Sequence, residues 1–171
     1  MTNPRLYPLA PAVACALLLA YGYFLQYAQH LEPCPLCMVQ RGFYFLVMGV
    51  FLLAAIHNPG RVGSAVYALL GMLSAAGGIF TAGRQVWLQH LPADQVPACG
   101  PDLNFMLENY PLARTVTKLF QGSGECAKVD WTFLGFSIAE WSLAWFAALA
   151  LYAAWLALRA FRTPAAAASR A

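Results

Sequence analysis

Residues Cys34–Ile56 read CPLCMVQRGFYFLVMGVFLLAAI, and Arg41 is the only charged residue among them. A helix of this length crosses a hydrocarbon core of about 30 Å, which takes roughly 20 residues. Three further stretches are also long and apolar and contain no charge: Leu6–Ala28, Val62–Gly83 and Trp141–Leu158. The sequence therefore predicts four membrane-spanning helices, at about residues 8–28, 36–56, 63–84 and 141–160.

The composition agrees with a membrane protein. The chain is 61% hydrophobic and 10% charged, whereas soluble domains carry about 25% charged residues. Its net charge of +3 is unclustered, which argues against nucleic acid as a partner. The short connections Gln29–Pro33 and His57–Arg61 force antiparallel neighbours. We expect an all-α fold in which residues 1–171 form a single membrane domain, an up-down four-helix bundle in the lipid bilayer.

The first span is distinguished from a cleavable signal peptide by its length and its prolines. It continues past 20 residues, contains Pro8 and Pro11, and lacks a small-x-small site before a soluble domain. We interpret Cys15, inside this span, as a buried small hydrophobic residue. Small residues at helical spacing in the third span should let helices approach closely: Gly71, Ala75 and Gly78.

The orientation in the membrane is not decided by the basic residues, because five lie on each predicted side. Discounting Arg41 and Arg84 as membrane-embedded leaves five against three. Cysteines 34, 37, 99 and 126 share one side, and disulfides persist in the periplasm but not in a reducing cytosol. We therefore expect these cysteines on the periplasmic side and both termini in the cytoplasm.

The stretch 90–140 is a long polar loop. Prolines at positions 92, 97, 101 and 111 exclude a long helix from its first half. A short interfacial helix is predicted further on, because apolar residues recur at helical spacing beside Arg114 and Lys118: Leu112, Val116, Leu119 and Phe120. The alternative is a turn packed on a small loop core.

The C-x-x-C unit Cys34–Cys37 should open a helix. Pro35 suits the first helical position, so Cys34 caps the helix and Cys37 falls in its first turn. The positive end of the helix dipole favours a thiolate there. Arg41 lies one turn further, on the same face and about 6 Å deeper. A guanidinium in a span costs roughly 2.5–3.5 kcal/mol, so we expect it to have a function, although it could merely snorkel to the interface.

The other two cysteines, Cys99 and Cys126, are 27 residues apart. This spacing does not complete a zinc site with the C-x-x-C unit, and the three histidines are scattered, so we expect no metal. A disulfide between them could be a structural staple worth about 3–4 kcal/mol. Their Pro- and Gly-rich settings instead indicate flexible, exposed loops, where a disulfide is accessible to an attacking thiolate.

With these residues in view, the chain resembles the DsbB family of inner-membrane disulfide-generating enzymes. The similarity extends over nearly the whole chain. Its motifs are Cys-Pro-Leu-Cys-x-x-Gln-Arg at Cys34–Arg41, Trp87-Leu88-Gln89, Cys126, Trp131-x-Phe133-Leu134-Gly135 and Trp141.

The resemblance implies a protein-disulfide:quinone oxidoreductase in the bacterial inner membrane. Reduced DsbA, a soluble periplasmic dithiol protein, would attack Cys99 in a Cys99–Cys126 disulfide. The freed Cys126 would attack Cys34 in a Cys34–Cys37 disulfide, and Cys37 would pass electrons to ubiquinone or menaquinone. Arg41 would stabilise both the thiolate and the reduced quinone oxygen. DsbA is a strong oxidant at about −120 mV, so only a more oxidising acceptor can recharge it.

Two positions depart from the family pattern. Gln85 stands where relatives often have a histidine, and it can hydrogen-bond a quinone carbonyl but cannot relay protons. His90 lies nearby but in a displaced register. Ala139 replaces a common proline before the last span.

Two other functions are compatible with parts of the sequence. A vitamin K epoxide reductase-like enzyme also combines a membrane C-x-x-C with a loop pair, but there the loop pair typically precedes the C-x-x-C. A non-enzymatic membrane protein that binds metal or docks a partner would need cytosolic cysteines or stoichiometric metal.

Overall fold

The computed structural model describes residues 5–92, 94–98 and 103–162. Four long helices dominate it: α1 (Leu6–Ala28), α2 (Pro35–His57), α3 (Arg61–Gln89) and α7 (Ile138–Arg162). Between α3 and α7 lie three short helices and a hairpin: α4 (Leu103–Asn109), α5 (Leu112–Gln121), α6 (Gly124–Ala127), β1 (Thr132–Phe133) and β2 (Phe136–Ser137).

The four long helices are each long and apolar enough to cross a membrane. Helix α2 begins with Pro35 in its first turn and ends at Asn58, which adopts a left-handed conformation with φ of 43°. Helix α3 continues to Gln89, so that Gln85 and Trp87 lie on its last two turns. These helices confirm the predicted all-α membrane bundle.

Helix α3 is the centre of the bundle. It packs most extensively against α7 and next against α2, whereas α1 packs mainly against α2. Helix α1 meets α7 through side chains near its start, where the Tyr152 hydroxyl donates to the Tyr7 carbonyl at 3.1 Å. The core between these helices is apolar, and its large members are fully or almost fully buried: Leu19, Val47, Phe51, Phe146 and Leu149. At their other ends, α1 and α7 line a cavity between them.

Small residues on α3 make room for phenyl rings of the neighbouring helices. A Cβ added at Gly71 would lie 2.6 Å from the ring of Phe51, and one at Gly78 would lie 2.3 Å from the ring of Phe146. Ala75 between them is fully buried. The predicted row of small residues therefore accommodates aromatic side chains.

The polar loop contains more regular structure than a free loop. Helix α5 occupies the stretch predicted as a short helix, and α4 is a seven-residue helix in the proline-rich part. The hairpin pairs Thr132 with Ser137. Ser137 and Glu140 then cap the start of α7: Glu140 accepts a bond from the Ser137 amide, and the Ser137 hydroxyl accepts one from the Glu140 amide. The loop thus leads directly into the last span.

Candidate active site

The C-x-x-C unit forms the start of α2 as its sequence predicted. Cys34 is the N-cap with extended backbone (φ −65°, ψ 161°), and its sulfur accepts a hydrogen bond from the Cys37 amide at 3.4 Å. The two sulfur atoms are 2.9 Å apart and both residues are half-buried. Proline at the first helical position fixes this geometry because it needs no hydrogen-bond acceptor there. The helix dipole favours negative charge at these sulfurs.

Cys126 lies beside this pair and not in an exposed loop. It is fully buried in α6, where it packs with Leu36 and Leu88. Gly122, with φ of +76°, forms the turn before α6, and a Cβ there would lie 2.5 Å from Leu88. The expectation of an exposed Cys126 was wrong, because this turn folds the segment down onto α2 and α3. Cys99 lies outside the described residues.

The Cys126 sulfur is hydrogen-bonded to the Cys34 thiol, and this bond lowers the pKa of Cys126 to about 6. Burial acts in the opposite direction, and backbone hydrogen bonds at Ser123 and Leu36 lower the pKa further. The pKa of Cys34 is raised above its ordinary value, because hydrogen bonds to Cys126 and Cys37 retain its proton and because it is buried. In the reduced site, Cys126 is therefore the thiolate and Cys34 the thiol.

Arg41 is half-buried and is held by α1. Its guanidinium donates to the Gly22 carbonyl at 3.1 Å and to the Gln26 side-chain oxygen, and it lies 4.7 Å from the ring centroid of Tyr23. Its contact with Met38 on its own helix is longer, at 4.0 Å. These bonds fix the guanidinium against the last turns of α1, about two turns from the start of α2, which differs from a side chain that snorkels to the membrane surface.

Gln85 contacts the sulfur atoms directly. Its side-chain nitrogen lies 3.3 Å from the Cys37 sulfur and 3.4 Å from the Cys34 sulfur. Gln40 donates to the Gln85 side-chain oxygen at 2.6 Å, and both glutamines are buried. His90 is exposed and bonded to the Val86 carbonyl at 2.8 Å. Sequence reasoning missed Gln40, although a glutamine inside an apolar span beside Arg41 is a signal of a buried polar contact.

A cavity of about 460 Å³ adjoins these residues, bounded mainly by α1, α2, α7 and the loop after α6. Its polar lining includes Cys34, Cys37, Gln40, Arg41 and Gln85. Its apolar lining includes Leu18, Leu25, Trp141 and Trp145. Cavities of this size with apolar walls and a few convergent polar groups bind small molecules. The donors present here suit a flat apolar ring that carries hydrogen-bond acceptors.

Within the described ranges, no group of three or more His, Cys, Asp or Glu side chains is arranged to hold a metal ion. The reactive side chains that meet at this site are thiols. Two sulfurs at the start of a membrane helix, a third cysteine packed beside the first, and an adjoining apolar cavity define a multi-pass membrane thiol–disulfide oxidoreductase.

Comparison with known proteins gives the same class. The family model described as Disulfide bond formation protein DsbB matches residues 4–156. Disulfide bond formation protein B of Nitrosococcus oceani is 54% identical over 141 residues, covering 82% of this chain and 83% of the relative. The Hahella chejuensis protein of the same name is 52% identical over 143 residues, covering 84% and 86%. The Stutzerimonas stutzeri protein is 43% identical over 162 residues, covering 93% and 98%.

The chain belongs to the DsbB family. The family resemblance inferred from the sequence is thereby confirmed, as is the prediction of a membrane enzyme of disulfide bond formation.

Proposed function

We propose that this protein reoxidises a DsbA-like periplasmic dithiol protein and delivers the electrons to ubiquinone or menaquinone in the inner membrane. One observation carries the proposal: the Cys34 sulfur is 2.9 Å from the Cys37 sulfur, and Cys34 also packs against the buried cluster that contains Cys126. A sulfur placed between two others can exchange disulfide partners with little movement of the chain. Such exchange is how a disulfide is passed from one dithiol to another.

Thiol exchange at Cys34 conserves electrons. The Cys126 thiolate attacks the Cys34 sulfur of a Cys34–Cys37 disulfide, the Cys34–Cys126 bond forms, and Cys37 leaves as a thiolate. Cys126 becomes available for this attack when the partner's thiolate attacks Cys99 in a Cys99–Cys126 disulfide, because the mixed disulfide with Cys99 then forms and Cys126 leaves as a thiolate. The backbone hydrogen bonds at Ser123 and Leu36 support the step, because they lower the pKa of Cys126 without needing a Cys34 thiol and the thiolate is the attacking species.

The complete cycle needs an electron acceptor, and quinone is the class we propose. Two electrons and two protons leave the partner's dithiol, the partner gains a disulfide, and the quinone becomes a quinol. Arg41 is the side chain that would donate a hydrogen bond to a ring oxygen, and Cys37 and Gln85 line the same cavity. The apolar lining from α1 and α7 suits a lipid-soluble molecule.

The orientation follows from the same chemistry. The three described site cysteines lie at one end of the bundle, at the start of α2 and in the loop between α3 and α7. Disulfides persist in an oxidising compartment, so we place this end in the periplasm and both termini in the cytoplasm. Helix α5 would then lie at the periplasmic membrane surface, with Arg114 and Lys118 toward the headgroups. Labelling with a membrane-impermeant thiol reagent on Cys99 tests the orientation.

The function is tested with purified protein, a reduced DsbA-like protein and a soluble quinone, by following quinone absorbance under anaerobic conditions. We expect turnover with the wild type and none with Cys37→Ser. Cys15→Ala is the matched control, because Cys15 is buried in the core between helices and does not line the cavity. Equal turnover by the Cys37→Ser variant would refute the mechanism, and no turnover by the wild type would refute the function.

A further inference from the structure

Two buried glutamine amides are connected by hydrogen bonds to each other and to the sulfur atoms of the site. Gln40 on α2 and Gln85 on α3 are each 4% exposed. The Gln40 side-chain nitrogen donates to the Gln85 oxygen at 2.6 Å, and the Gln85 nitrogen lies 3.3 Å from the Cys37 sulfur and 3.4 Å from the Cys34 sulfur. Buried amides are costly unless hydrogen-bonded, so these contacts constrain both side chains.

The orientation of the Gln85 amide matters because its two ends have different hydrogen-bonding properties. A glutamine presents either an oxygen, which only accepts hydrogen bonds, or an NH₂ group, which only donates them. A thiolate accepts hydrogen bonds strongly, whereas a disulfide sulfur accepts them weakly. The face that Gln85 turns toward Cys34 and Cys37 therefore determines whether it favours their reduced, charged form.

Gln40 determines this face. While the Gln40 NH₂ group donates to the Gln85 oxygen at 2.6 Å, that oxygen lies 3.5 Å from the Cys37 sulfur, and the Gln85 nitrogen makes the closer contact with this sulfur, at 3.3 Å. Rotating the Gln85 amide alone would bring two NH₂ groups together, with no acceptor between them. The arrangement stabilises a thiolate without introducing a second charge into the span, since both amides are neutral.

We propose that Gln40 is a positioning residue that holds the Gln85 amide with its donor face toward Cys34 and Cys37, and so makes their disulfide more oxidising. The inference rests on the proposed redox role of this cysteine pair and extends it to a residue that touches neither sulfur. Stabilising the reduced form raises the reduction potential of the pair, and removal of either amide lowers it.

The test measures the thiol–disulfide equilibrium of the Cys34–Cys37 pair against glutathione, in full-length protein in which Cys15, Cys99 and Cys126 are replaced by alanine. Two glutathione thiols give one oxidised glutathione, the Cys34–Cys37 bond breaks and two cysteine thiols form. Neither quinone nor a protein partner is needed. A wild-type protein that fails the quinone assay would refute the proposed function and leave this equilibrium measurable.

Four variants are compared in that background: Gln40→Leu, Gln85→Leu, both together, and Thr81→Val as the control. A hydrogen bond to a charged group is typically worth enough to change an equilibrium about tenfold. We expect each single glutamine variant to lower the equilibrium constant for reduction about tenfold, or about 30 mV in potential. The double variant should match Gln85→Leu. Thr81→Val removes a buried hydroxyl of α3 that bonds only backbone carbonyls, and should change nothing.

Unchanged potentials in Gln40→Leu, or additive losses in the double variant, would overturn the proposal, because Gln40 would then not act through Gln85. Helicity in detergent establishes that each variant is folded. If Gln40→Leu does not fold, Gln40→Glu replaces it, because a carboxylate cannot donate and would draw the Gln85 NH₂ group toward itself. The loss caused by Gln40→Glu must then be larger with Gln85 present than with leucine at position 85, and an equal loss overturns the proposal.

Discussion

The low pKa of Cys126 gives a prediction about the origin of its reactivity. The main cause is the hydrogen bond from the Cys34 thiol, which opposes the effect of burial. Replacing Cys34 with alanine removes the donor and leaves the burial, so the pKa of Cys126 should rise from about 6 to its ordinary value of 9.0 or above. Replacing Cys34 with serine keeps a hydroxyl donor and should leave the pKa low. The two variants differ by one oxygen atom.

The expected size of the pKa change shows which measurement is informative, the rate at pH 7 or the midpoint of the pH profile. At pH 7 a thiol with a pKa of about 6 is about 90% thiolate, and one with a pKa of 9.0 is about 1% thiolate. Nucleophilicity falls with pKa with a Brønsted coefficient of about 0.4–0.5, so the more basic thiolate is about 20-fold more reactive. The rate at pH 7 should therefore fall only about fourfold. The midpoint of the pH profile, in contrast, should move by about three pH units.

The assay is the rate of alkylation of Cys126 by iodoacetamide between pH 4 and 10, with the modified peptide identified by mass spectrometry. Cys15, Cys37 and Cys99 are replaced by alanine, and each protein is reduced with a phosphine before alkylation so that no Cys34–Cys126 disulfide remains. Because the group is an acid with a depressed pKa, its reactivity should appear as pH rises through about 6 in the parent and serine variants. It should appear only near 9 or above in the alanine variant. A common midpoint in the alanine and serine variants would refute the reasoning.

Two further predictions concern Arg41 and the helix packing. Arg41→Lys should raise the KM for quinone about tenfold, because an ammonium cannot reproduce the guanidinium's fixed fork toward Gln26 and the cavity; an unchanged KM would count against a cavity role. Gly78→Ala should destabilise the bundle by about 1–3 kcal/mol, because its Cβ would overlap the ring of Phe146. Gly49→Ala, with open space around it, is the control, and detergent unfolding midpoints distinguish them.

The parts of the molecule that were predictable from the sequence are those set by local physics. The four long helices follow from the length of the apolar stretches, since a membrane span must satisfy its own backbone hydrogen bonds. The start of α2 follows from Cys34 and Pro35, because a capping residue and a proline act within one turn. Helix α5 follows from apolar spacing over ten residues.

The parts that were not predictable depend on contacts between distant segments. The Gly- and Ser-rich sequence around Cys126 indicated a free loop, but Gly122 allows a turn that buries Cys126 against Leu36 and Leu88. The bond between Gln40 and Gln85 joins residues 45 positions apart, and only helix packing brings them together. The contacts of Arg41 with α1 have the same origin.

The position of Cys34 between two other sulfurs has a stoichiometric consequence. A sulfur forms one disulfide at a time, so Cys37 and Cys126 compete for it and the losing partner is left free. While Cys99 is held in the mixed disulfide with the partner, counting thiols in this three-sulfur group should therefore give one, whichever bond has formed. The identity of that odd thiol reports how far an oxidising equivalent has travelled between the loop and the membrane helix.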